Sequence, residues 1–137
     1  MHRFLGVALV ALALAIAFVP AFTDCQSQGK ALTTNTGKTV PMKCHWTGIA
    51  EIGVAAPLLV VGAMMVANRR KENVRTLGVM GVVLGGLAIA FPAGLIGVCQ
   101  TPTMLCASVM KPTLVTLGAV AIGASLGAMI LTRRGPA

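Results

Sequence analysis

The chain has 137 residues; 56% of them are hydrophobic, 10% are charged, and the mean hydropathy is +0.88. A water-soluble domain covers itself with roughly a quarter charged residues, so this composition excludes an ordinary soluble domain and points to the hydrocarbon of a bilayer as solvent. The net charge of +8 does not signal nucleic acid, because with no Tyr, one Trp and four Phe the chain lacks the aromatic platforms on which bases stack.

Spanning about 30 Å of hydrocarbon takes about 20 apolar residues in a helix. The first candidate, residues 4–22, follows a basic Met-His-Arg start. A cleaved signal peptide is the competing reading, since Val19-Pro20-Ala21 resembles a small-x-small cleavage site. The apolar run, however, exceeds the usual core of about 7–15 residues, and Asp24 before Cys25 conflicts with lipoprotein-type processing. We therefore expect a retained helix. A polar loop, 23–46, leads to the second span, 47–67. The basic connector 68–75 precedes the third, 77–98, and a second polar loop, 99–113, precedes the fourth, 114–132. In lipid every backbone polar group needs an internal partner, so these spans are expected as helices. The expected fold is all-α: residues 1–137 as one domain, a four-transmembrane-helix bundle in the cytoplasmic membrane.

Basic residues set the expected orientation. Arg3, Arg69, Arg70, Lys71, Arg75, Arg133 and Arg134 flank one side of the spans, and only Lys30, Lys38, Lys43 and Lys111 flank the other. The positive-inside rule then places both termini in the cytoplasm, and attraction to anionic headgroups accounts for most of the basic excess. Helices in lipid associate by close backbone approach, which small residues permit. Gly81 and Gly85 on the third helix and Gly123 and Gly127 on the fourth have that spacing, serving either packing within the chain or a homo-oligomeric or partner interface. Pro57 and Pro92 are expected to kink their helices.

Glu51 is the one acid near a span. An intramembrane carboxylate is a functional candidate, but the first turns of a helix also favour an anion, and the structural role is the weightier. Cys25, Cys44, Cys99 and Cys106 lie two in each outer loop and none on the basic side. An even number in an oxidising compartment reads as two disulfides stapling a small outer cap. Three pairings are open; pairing within each loop is preferred because local closure loses less entropy. Met42-Lys43-Cys44 and Met104-Leu105-Cys106 each precede the second helix of a hairpin, a weak hint of duplication.

Trp46 suits an interfacial anchor, with His45 beside it as a boundary hydrogen-bonding group. Met42, Cys44, His45, Met104 and Cys106 are soft donors suited to Cu(I). That requires reduced thiols, however, and no Cys-x-x-Cys or His-x-x-x-His accompanies them, so neither metal nor cofactor is expected.

The run Met42-Lys-Cys-His-Trp-Thr47, with Ala50-Glu51-Ile52-Gly53 and the second pair Cys99 and Cys106, is similar to the signature of a family of small uncharacterised bacterial membrane proteins with four predicted helices. The resemblance covers nearly the whole chain. It implies no established activity; members are often encoded near exporter-type ABC transporter permeases, which implies an accessory role.

The expected function is a non-enzymatic scaffold or accessory subunit of a membrane complex such as an ABC transporter. The alternative is a quinone-linked thiol–disulfide oxidoreductase, whose known examples resemble this layout of four helices with two outer cysteine pairs. Spacings of eighteen and six intervening residues depart from the Cys-x-x-Cys that such chemistry favours. A conduction path within one chain is not expected, since the spans carry few polar residues.

Overall fold

A computed structural model describes residues 1–25, 29 and 31–135. Lys30, counted above among the outer basic residues, lies outside the described residues. The elements are α1 (His2–Thr23), a two-stranded hairpin β1 (Leu32–Thr33) and β2 (Thr39–Val40), α2 (Lys43–Ala67), α3 (Lys71–Ala90) and α4 (Lys111–Arg134). Short π-helical stretches, Phe91–Leu95 and Cys106–Met110, extend α3 and precede α4. Four helices are long and apolar enough to cross a membrane, and the chain is a multi-pass membrane protein. The antiparallel hairpin, with Leu32 opposite Val40, is an exposed addition to the expected all-α architecture.

The packing follows from a regular stripe on each helix. Buried positions fall at Gly6, Leu9, Ala13, Ile16 and Pro20 on α1, and at Cys44, Thr47, Glu51, Val54, Leu58, Val61 and Met65 on α2. Alternating steps of three and four keep one narrow face turned inward, the geometry of helices that cross at a shallow angle. The opposite faces are apolar and open: Phe4, Phe18 and Phe22 are 78%, 59% and 74% exposed. Such a surface is intolerable in water and natural against lipid.

Consecutive helices pair most extensively, α1 with α2 and α3 with α4. Each hairpin has a reciprocal glycine crossing. A Cβ on Gly6 would lie 3.0 Å from the carbonyl oxygen of Gly62, and one on Gly62 3.0 Å from that of Gly6. Gly85 and Gly118 stand in the same relation, at 3.0 and 2.9 Å. Of the glycines anticipated for packing, Gly81 meets Ser125 and Gly85 meets Gly118 and Ile122. Gly123 meets nothing within 4 Å, and Gly127 only Leu5 at 3.7 Å. The contact face of α4 runs through Gly118, Ile122 and Ser125; Gly123 and Gly127 lie on another side of the helix, because adjacent positions are rotated by about 100°.

The helices also start before the apolar segments, and the third stops at Leu95, short of the expected residue 98. α2 starts at Lys43 rather than near 47, the third span covers Lys71–Leu95 and the fourth Cys106–Arg134. Hydropathy marks the part that fits hydrocarbon, whereas backbone hydrogen bonding continues the helix through its polar flanks. At the top of α3, Pro92 supplies no N–H. The helix widens there, and Phe91 O accepts from Ile96 N at 3.3 Å and Gly97 N at 2.9 Å. Gly97, at φ 81°, adopts the left-handed turn that a residue without Cβ makes readily, releasing the chain toward Cys99.

At the opposite end Met1, Arg69, Lys71 and Arg134 line one shallow pocket, and Lys71 Nζ donates to Gly135 O at 3.0 Å. The basic end and the cysteine end are therefore separated by the length of the bundle.

Candidate functional site: a four-cysteine cluster

Four chain segments converge where α1 ends and α2 begins. Cys25 follows α1 by two residues, Cys44 sits in the first turn of α2, Cys99 lies beyond the Gly97 turn, and Cys106 opens the π-helical stretch before α4. Their sulfurs all lie within 4.8 Å of one another. Cys25 is the hub: its Sγ is 2.7 Å from Cys44, 3.3 Å from Cys106 and 3.7 Å from Cys99. Cys44 and Cys99 are 3.7 Å apart, and Met42 Sδ lies 3.8 Å from Cys99.

The expected disulfide-stapled cap takes a different form here. None of the four cysteines is bonded to another; the nearest sulfurs, those of Cys25 and Cys44, stand 2.7 Å apart, outside the bond length of about 2.05 Å. The within-loop pair Cys25–Cys44 is the closest of them, but Cys25 also touches the two thiols of the other loop. Sequence spacing could not anticipate this, since the separations of 74 and 81 residues are closed by the packing of one helical hairpin on the other.

Three of the sulfurs are shut away, Cys25 at 2% exposure and Cys44 and Cys106 at 0%. Cys99 is half-buried and lines an open cleft of about 960 Å³ together with Met42, Lys43, Met104 and Lys111. Burial, and then the neighbouring thiol of Cys44, push the Cys25 thiol well above its ordinary value, because a thiolate there would lose water without gaining a cation. Cys25 is thus a protonated hub, and Cys99 is the member within reach of an outside molecule.

Two polar contacts hold the segments in place. Thr47 Oγ1 donates to Gly97 O at 2.6 Å, tying the start of α2 to the turn that presents Cys99. His45 Nδ1 lies 3.3 Å from Asp24 Oδ2, so the neighbours of Cys44 and Cys25 in the chain are themselves paired. His45 also stands edge-on to Trp46 at 5.9 Å between ring centroids, and Trp46 is 53% exposed, facing outward from the bundle. Sequence reading missed both contacts; the only signal was a hydroxyl at Thr47 on the stripe that carries Cys44.

Glu51 lies deeper on that stripe, seven residues after Cys44 and so about 10 Å further along the axis. It is fully buried, and neither carboxylate oxygen has a hydrogen-bond partner among the described residues. Lys43 and Lys111, the basic residues flanking this end of the spans, line the cleft beside Cys99.

The chain belongs to the family described as "Domain of unknown function (DUF4418)", whose model matches residues 3–131. No match was found among curated proteins or among solved structures.

Proposed function

We propose that this protein is a membrane-embedded thiol centre that exchanges disulfides with thiol compounds or proteins at the cysteine end of the bundle. The observation that carries this is the convergence of four free sulfurs within 4.8 Å, with one of them, Cys99, on the wall of an open cleft. The chemistry requires an accessible attacking sulfur and a second thiol close enough to resolve the mixed disulfide. The absence of Cys-x-x-Cys counted against this reading in the sequence, yet the fold brings Cys25 and Cys44 each to 3.7 Å from Cys99.

In the forward direction the Cys99 thiolate attacks an external disulfide, forming a mixed disulfide and releasing one external thiolate. Cys25 or Cys44 gives up its proton and attacks the Cys99 sulfur, releasing the second. Two protein thiols are oxidised to one disulfide and one external disulfide is reduced to two thiols. Cys106, 3.3 Å from Cys25, can then take over the bond by a further exchange, moving oxidation inward.

The positive-inside rule, applied to the arginine-rich end, places the cysteine end on the outer face with both termini inside. The scaffold or accessory-subunit reading, with a permease or a second copy as partner, draws support from the burial of three of the four sulfurs, which suits a structural staple. Both readings are tested by equilibrating detergent-purified protein with a series of glutathione redox ratios, alkylating, and mapping the cysteines by mass spectrometry. An exchange centre shifts reversibly between dithiol and disulfide across the series and traps a mixed disulfide at Cys99. Pairing that stays constant across all ratios sinks the exchange reading and favours the staple.

A further inference from the structure

The same four sulfurs have a second capability when all are reduced. We propose that the cluster of Cys25, Cys44, Cys99 and Cys106 is a tetrathiolate binding site for zinc(II), so that metal occupancy and disulfide formation compete for one set of thiols. The proposal rests on the exchange reading for that competition, and on the geometry alone for the site.

A zinc ion with four thiolates holds its sulfurs about 2.3 Å from the metal in a tetrahedron, so neighbouring sulfurs stand about 3.8 Å apart. Cys25–Cys99 and Cys44–Cys99, at 3.7 Å each, already have that spacing, and Cys25–Cys106, at 3.3 Å, is close to it. The Cys25–Cys44 edge, at 2.7 Å, must open by about 1 Å on the same geometry, within the reach of a side-chain rotation at Cys25 just beyond the end of α1; the remaining pairs, Cys44–Cys106 and Cys99–Cys106, lie within 4.8 Å. Structural zinc sites use four protein ligands and no open position; this cluster supplies four sulfurs, three of them buried. A tetrathiolate zinc centre carries two negative charges, and Lys43, next in the chain to Cys44, and Lys111 line the same cleft as Cys99.

Each sulfur comes from a different segment, after α1, at the start of α2, after α3 and before α4. One ion would therefore join all four helices at one end of the bundle. Binding converts four thiols and one zinc(II) into the tetrathiolate and four protons. Oxidation by two equivalents of an external disulfide, with uptake of four protons, turns the tetrathiolate into two protein disulfides, four external thiols and free zinc(II). The atoms and charges balance, and no other reactant is needed.

The test uses the full chain, purified anaerobically in mild detergent with reductant. Metal content is measured after incubation with zinc(II) and desalting, and cobalt(II) is substituted as an optical probe. We expect one equivalent of zinc per chain, tetrahedral cobalt bands with thiolate charge transfer, and release of the zinc on adding disulfide. Cys106→Ser and Cys99→Ser should each weaken the cobalt thiolate bands and lower zinc affinity by at least tenfold; Gly123→Ala, on the open face of α4, should leave both intact. Sub-stoichiometric zinc, or cobalt bands unchanged in both serine variants, overturns the proposal. If reversible thiol exchange persists without zinc binding, the metal site alone is wrong. Cysteines found in two disulfides that no glutathione ratio reduces defeat both the site and the exchange reading.

Discussion

Thr47 Oγ1 donates a 2.6 Å hydrogen bond to the carbonyl oxygen of Gly97, joining the inner stripe of α2 to the turn that follows the π-helical end of α3. Because Cys44 is one turn before Thr47 and Cys99 is two residues after Gly97, this bond ties together the segments that carry thiols from two different hairpins. Thr47→Val keeps the shape and removes the donor. We expect a loss of about 1 kcal/mol in detergent unfolding, together with faster alkylation of Cys99. An unchanged Cys99 labelling rate would show that the turn is held by other means.

The glycine crossings separate two faces of one helix. Gly118→Val drives a side chain into the carbonyl of Gly85 and the side chain of Ile89, and should destabilise by about 1–3 kcal/mol, as overpacked cores do. Gly123→Ala enters open space and should be neutral or gain up to about 1 kcal/mol from helix propensity. Equal effects at the two positions, in thermal unfolding of the detergent-solubilised protein, would contradict the observed rotation of α4.

Glu51 is a buried acid with no hydrogen-bond partner among the described residues. An unpaired buried polar group is a net cost to folding, so Glu51→Met, of similar length and apolar, should stabilise by about 1–3 kcal/mol. Destabilisation on that substitution, read from chemical denaturation, would mean that the carboxylate is engaged in the folded protein.

The Cys25 thiol is held above its ordinary value by burial, while in the unfolded chain it titrates near pH 8.5 (about the free-thiol value). As pH rises past that point the unfolded state loses its proton and the folded state keeps it, so the contribution of Cys25 to stability is complete below about pH 8.5 and declines above it. Reduced protein should lose stability from pH 8 to 10, and Cys25→Ala should flatten that slope. Within the folded protein, Cys25 should also alkylate more slowly than Cys99 at every pH in the range. A slope unaffected by Cys25→Ala would assign it to other groups.

Apolar length alone foretold four spanning helices, because hydrocarbon thickness imposes a minimum run that no other residue pattern here satisfies. Segregation of Arg3, Arg69, Arg70, Lys71, Arg75, Arg133 and Arg134 foretold which ends lie together, since alternating spans bring them to one side. The hydropathy pattern did not reveal where the helices stop, because hydrogen bonding carries α2 back to Lys43 and the third span back to Lys71, beyond the hydrocarbon. Nor did it show which face of α4 meets α3. Residues 118 to 127 are small or apolar on every side except at Ser125, so periodicity carried little contrast, and Gly123 was as plausible as Gly118.

The sequence by itself placed four cysteines at one end of a membrane bundle, because their loops all leave the spans on the same side. Only the tertiary structure decided that all four meet in one cluster. The residues that join them, Cys25 and Cys106, are 81 positions apart, and their approach depends on how two hairpins pack, on the glycine crossing of Gly85 with Gly118, and on a proline and a left-handed glycine that turn the chain back over the end of α2. Contacts of that range arise from the summed shape of the helices, which no local pattern encodes.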